Sequence, residues 1–186
     1  MVEIGKLQKA TAWVQVDDFF PFMVGPDATG DKLGVVRLGG HLEPGESPWE
    51  GVCREVLEEA SLKIAYVRPP CTYRADIRGN LERLKWRWGD VCPAPMMFSQ
   101  TGIAFLATST DEPIPDCESH GLLLLTPEDV NMLCSKPFTL GEYLHGEGQA
   151  VFNSDLPSLD EGMELDPKGP RVFKLILELH PDLGIS

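Results

Sequence analysis

Three glutamates in this sequence, Glu55, Glu58 and Glu59, are spaced i, i+3 and i+4. On a helix they would share one face within reach of a single site. Carboxylates that close repel one another unless a cation stands among them. A hard divalent ion suits them best, because Mg2+ takes oxygen ligands in octahedral geometry and keeps room for substrate phosphate oxygens. Arg54 stands beside them and can reach back to Glu46 or forward to Glu58. Either ion pair would orient a ligand-bearing carboxylate. Taken alone, the same pattern also fits an amphipathic helix with a solvated charged face.

The elements that must position these acids can be read locally. Ser47 is an N-cap, Pro48 takes the first helical position, and Glu50 completes a capping box. Trp49, Val52, Cys53, Val56, Leu57 and Ala60 recur at helical spacing as a core-facing stripe. Upstream, a short strand over Lys32–Leu38 delivers a glycine turn at Gly39-Gly40.

Gly40, five residues, Glu46, seven residues, then Arg54-Glu55-Val56-x-Glu58-Glu59 resembles the signature of the Nudix hydrolases, G-x5-E-x7-R-E-U-x-E-E-x-G-U, with U a bulky aliphatic. Eight of nine defined positions fit, including Val56 and Leu62, and Ser61 stands where the family has glycine. The motif covers residues 40–62, about an eighth of the chain. The family glycine ends the helix in a left-handed cap; serine in that conformation costs about 1 kcal/mol, unless the chain leaves the helix by another turn. A second departure is Arg37-Leu38, where many members have Leu-Pro; it puts an arginine near the mouth of the site.

The resemblance implies an α/β fold, a Nudix-type α/β/α sandwich with a mixed central sheet. It implies hydrolysis of the diphosphate linkage in a nucleoside diphosphate joined to another moiety. Mg2+, with Mn2+ as a substitute, would be held by Glu55, Glu58, Glu59 and the carbonyl of Gly39. Glu58 or Glu118 would take the proton of the attacking water, and Arg54 would orient the acids. Glu118 falls on the loop where many members carry an extra glutamate; a solvated loop acid is the alternative. The subgroup cleaving ADP-ribose tends to carry a proline some fifteen residues beyond its box, where this chain has Ile77-Arg78. The competing function is a Nudix-fold nucleotide-binding or regulatory module without catalysis. Its usual mark is loss of box glutamates, and all are present here.

Composition sets the frame. The 186 residues suit one domain, and 42% hydrophobic with 24% charged residues is ordinary for a globular protein. A net charge of −13 disfavours a nucleic-acid partner, so an anionic small molecule must be attracted locally, by metal and a few arginines. The five cysteines lack C-x-x-C spacing and read as reduced. No leader or long apolar span is apparent, so a cytoplasmic protein without membrane contact is expected. Family members often dimerise, which leaves a homodimer possible.

Strands are expected at Lys9–Val16, Phe19–Val24, Leu62–Val67, Cys71–Ile77, Gln100–Thr108 and Leu122–Leu125. Arg37, Arg74 and Arg87 are candidate phosphate contacts. Trp86 and Trp88, in a proline-broken stretch, are either a stacking wall of the pocket or hairpin indoles filling the core rim. Thr126-Pro127-x-Asp129 starts a second helix, and Thr139 caps a third over Pro137–Leu144. Residues 145–169, acidic and punctuated by glycine and proline, are expected as a flexible loop or a lid. Pro170–His180 closes the chain as an amphipathic helix.

Overall fold

The computed structural model describes residues 7–85, 93–116 and 118–183. The chain opens with β1 (Lys9–Gln15), β2 (Phe20–Pro26) and β3 (Leu33–His41), followed by α1 (Pro48–Ala60). Then come β4 (Ala65–Val67), β5 (Thr72–Ala75), β6 (Leu81–Leu84), β7 (Met97–Phe98), β8 (Gly102–Thr108) and β9 (Gly121–Leu125). The last third holds α2 (Pro127–Ser135), α3 (Leu140–His145), β10 (Gln149–Phe152), β11 (Leu165–Asp166) and α4 (Lys168–Leu179).

The described strands form one mixed sheet in the order β10-β9-β2-β3-β1-β8-β7-β5-β6, with β11 on β3 and β4 on β8. β1 runs parallel to β8, while β2 and β3 are antiparallel. Strand alternation gives each face its own core. Ala10, Ala12, Val14 and Leu38 meet Val52, Val56 and Ala60 of α1 on one face. Trp13, Phe20, Phe22 and Val35 meet Val130 of α2 with Phe173 and Ile176 of α4 on the other. β9 is buried on both sides: Leu122 and Leu124 face the first core, Leu123 and Leu125 the second. This is the expected sandwich of helices about a mixed sheet.

β3 is the shared element. Its first half, Leu33 to Arg37, pairs with β2; its second half, Leu38 to His41, pairs with β1. The glycine pair is therefore not a turn, as expected from sequence, but strand, with Gly39 opposite Thr11 and Gly40 opposite Ala10. The chain turns afterwards, at Pro44-Gly45, where Gly45 has φ +86°. Gly39 has φ +120°, and a Cβ there would lie 2.3 Å from the Ala10 carbonyl oxygen, so only glycine fits this close crossing.

Other expectations shift at their edges. Residues 145–169 are not one long loop: β10 pairs antiparallel with β9, and β11 pairs parallel with β3. Their backbone bonds go to strands far away in sequence, which composition does not reveal. α4 begins at Lys168, before Pro170, which sits third in the helix where an N–H is not needed. Leu57, expected in the apolar stripe of α1, is exposed. No helix among the described residues is long and apolar enough to cross a membrane.

Candidate active site on the box helix

α1 starts as its sequence dictates. Ser47 accepts from the Glu50 N–H, and Glu50 Oε2 accepts from the Ser47 N–H, a reciprocal cap with Pro48 at the first turn. Val52, Val56 and Ala60 are fully buried against the sheet, and Trp49 sits edge-on to Phe105 with centroids 5.3 Å apart. Each buried valine contributes about 1.5–3 kcal/mol, which fixes the rotation of the helix. That rotation puts Glu55 and Glu59 on the β3 glycines and leaves Glu58 beside Arg54. The helix ends at Ser61, whose φ of 56° and ψ of 25° are left-handed, with its N–H on the Leu57 carbonyl at 3.0 Å. Of the two exits open to a serine here, the chain takes the strained one.

Arg54 organises the acids. Its Nε and Nη2 donate to the two oxygens of Glu46 at 2.9 and 3.1 Å, a bidentate pair. Nη1 donates to Glu55 at 3.0 Å and to Glu58 at 3.2 Å, and Nη2 also reaches the His41 carbonyl at 3.0 Å. Both pairings expected of this arginine are made, and a third goes to Glu55. The bond to Glu46 leads the causes that raise the Arg54 pKa, and Arg54 in turn holds Glu46 below the usual carboxylate range.

The glycines let carboxylates lie on backbone. The Glu55 carboxylate packs over Gly40, where a Cβ would meet its Oε2 at 2.5 Å. The Gly39 N–H donates to Glu59 Oε2 at 2.7 Å. Burial pushes the Glu59 pKa up to about 8; the Gly39 bond opposes the shift, and the charges of Glu55 and Glu58 add to it. Glu58 is the most open of the set, its side chain 51% exposed against 18% for Glu55.

The donor set fits a hard divalent ion: every donor is oxygen, and the Glu59 carboxylate, its pKa raised by burial and then by its acidic neighbours, is one a nearby cation would favour in its charged form. Among the described residues no three such side chains converge closely enough to hold an ion as they stand, and Arg54 is the cation between Glu55 and Glu58.

The NUDIX domain family profile matches residues 28–137, more than half of the chain. The chain belongs to the Nudix family. It is a Nudix pyrophosphohydrolase, an enzyme of phosphoanhydride bonds. No curated protein sequence matches it. Among solved structures, a Nudix-family hydrolase from Clostridium perfringens is 23% identical over 67% of this chain and 84% of that one, with a TM-score of 0.45. An ADP-ribose pyrophosphatase from Streptococcus suis is 17% identical over 92% and 89%, TM-score 0.48. A UDP-X diphosphatase is 18% identical over 95% of this chain and 61% of that one, TM-score 0.42. Membership rests on the family profile together with the box.

The other residues singled out in this Nudix chain scatter. Glu118 is exposed, two residues beyond Asp116, whose N–H bonds the Glu59 carbonyl at 3.2 Å; its loop therefore passes the C-terminal end of α1. Arg74 pairs with Glu82 across the β5–β6 hairpin, four strands along the sheet from β3. Trp86, Arg87 and Trp88 lie outside the described residues. Arg37 points to the face opposite α1, with its guanidinium carbon 5.1 Å from the Trp13 ring centroid. Burial pulls its pKa down to about 10. Sequence reasoning missed this stack. No local signal could have found it, because it depends on β1 and β3 being neighbours.

Proposed function

We propose that this chain hydrolyses the diphosphate linkage of a nucleoside diphosphate joined to another moiety, in a reaction that depends on Mg2+, with Mn2+ as a substitute. The observation that carries this reading is the α1 face itself: Glu55, Glu58 and Glu59 gathered by Arg54 and the Gly39-Gly40 backbone. Glu55, Glu58, Glu59 and the Gly39 carbonyl would hold the ion. When bound, it supplies charge for the phosphate oxygens and a water of lowered pKa.

The chain's own residues do the rest. Glu58, the most accessible of the acids, accepts a proton from the attacking water, with Glu118 as the second candidate. Arg54 keeps Glu55 and Glu58 oriented before substrate arrives, so little reorganisation is needed at the reacting centre. Glu59, anchored on Gly39, ties the helix to the strand that faces the substrate.

The test is a hydrolysis screen with Mg2+ over nucleoside diphosphate sugars, dinucleoside polyphosphates, NADH, coenzyme A and damaged nucleoside triphosphates. Metal-dependent product release from at least one class is expected, with Glu58→Gln lowering kcat about a hundredfold or more. Wild type and Glu58→Gln equally inert across the whole screen would favour the non-catalytic binding module.

A further inference from the structure

On the sheet face opposite α1, two side-chain donors are enclosed without a partner among the described residues: Trp13 Nε1 and Arg37 Nη1. They belong to one stack. The Arg37 guanidinium lies over the Trp13 ring, and Phe173 stacks on the same indole, centroids 5.4 Å apart and 19° between planes. Trp13 is only 1% exposed, so its N–H direction is set by packing. No carboxylate among the described residues pairs with Arg37. A half-buried guanidinium without an anion, its Nη1 enclosed, beside a buried N–H without an acceptor, is costly for a fold to keep. A single group with negative charge and acceptor oxygens, reaching the edge of this stack, would relieve both.

We propose that Trp13 and Arg37 form an oxyanion subsite, with Nε1 and Nη1 as its donors, for a phosphate or carboxylate group. The subsite lies across the sheet from the box acids, on the same strand, with Arg37 two residues before Gly39. It goes beyond the hydrolytic reading and does not require it. Because Trp13 already carries the guanidinium on its ring and Phe173 against it, the indole recognises its ligand through the N–H and not as a stacking platform. The first turn of α4 covers the backbone of the strand here: a Cβ at Gly169 would lie 3.0 Å from the Arg37 backbone nitrogen and 3.1 Å from Phe22 Cδ1. That turn begins at Pro167 with no side-chain cap, and the positive end of the helix dipole favours the same sign of charge.

The experiment titrates inorganic phosphate into the full-length protein in EDTA, against chloride at equal ionic strength. The Trp13 indole N–H resonance, assigned by its loss in Trp13→Phe, is the readout. A saturable shift is expected in wild type, weakened about tenfold or more in Arg37→Met, since a charge-assisted bond is lost. An unmoved resonance in wild type, or equal binding by Arg37→Met, would overturn the subsite. If Arg37→Met does not fold, Trp13→Phe keeps the stack and removes one donor. Its phosphate-dependent rise in Tm should then be smaller than wild type, and an equal rise would overturn the proposal. Adding 5′-AMP separates the sources. Competition with phosphate assigns the oxyanion to a nucleotide-type substrate, joint binding assigns it to a free anion, and either sustains the subsite. Glu58→Gln should bind phosphate as wild type does, so a failed hydrolysis screen leaves this result intact.

Discussion

The two faces of β3 treat their polar groups in opposite ways. On the α1 face, Arg54 shares its donors among Glu46, Glu55, Glu58 and the His41 carbonyl, and Glu59 rests on the Gly39 N–H. On the α4 face, Arg37 stacks on Trp13, and both keep a buried donor unmatched. The first face is a self-satisfied network whose members lie within about twenty residues of one another. The second joins residues 13, 37 and 173, brought together only by sheet pairing and helix docking. A network satisfied internally is positioned in advance, whereas one left open is adapted to something that arrives.

Breaking the α1 face should have the largest effect. Glu55→Gln removes the carboxylate that lies over Gly40 and bonds Arg54. Turnover at saturating Mg2+ should fall at least about a hundredfold, the upper end of the loss seen when even an outer partner of a metal site is removed; retained kcat would detach this acid from the chemistry. The phosphate response at Trp13 should be untouched, which keeps the two faces separable. Gly39→Ala attacks the strand between them. Its Cβ would collide with the Ala10 carbonyl at a φ of +120°, so stability should drop by about 3 kcal/mol or more in urea unfolding.

Acidity sharpens the contrast further. Folding raises the Glu59 pKa from 4.5 to about 8, so the folded protein binds this proton more tightly than the unfolded chain. The stabilisation is complete below pH 4.5 and is lost as pH rises through about 8. Metal-free protein should therefore lose melting temperature across that window, Glu59→Gln should flatten the loss, and Mg2+ should restore stability at the alkaline end. The smallest effect belongs to the helix end. Ser61→Gly relieves a left-handed serine and should stabilise by about 1 kcal/mol, or about 2–4 °C in Tm for a chain of this size.

The same division separates what is legible in the sequence from what is not. Ser47-Pro48-Glu50 and Thr126-Pro127-Asp129 announce their helices because a cap needs only neighbours three residues away, and both capping boxes are made. The acid spacing and the bond from Arg54 to Glu46 follow from helical pitch in the same way. The glycines misled because Gly-Gly usually marks a turn. Here they serve a strand that crosses β1 too closely for any side chain. β10 and β11 went unseen because their partners, β9 and β3, are distant in sequence. Arg37 was legible as a cation near the box but not as the neighbour of Trp13, since its direction depends on which residue of β3 opposes which residue of β1 and β2.

The change of partner along β3, between Arg37 and Leu38, carries an evolutionary consequence. Adding or deleting one residue there would flip every side chain beyond it. Leu38 would leave Val56 for the face of Phe173, and the Gly39 amide would turn away from its carboxylate. Length variation among descendants of this chain should therefore collect in the 153–164 connection and be absent from positions 33–41.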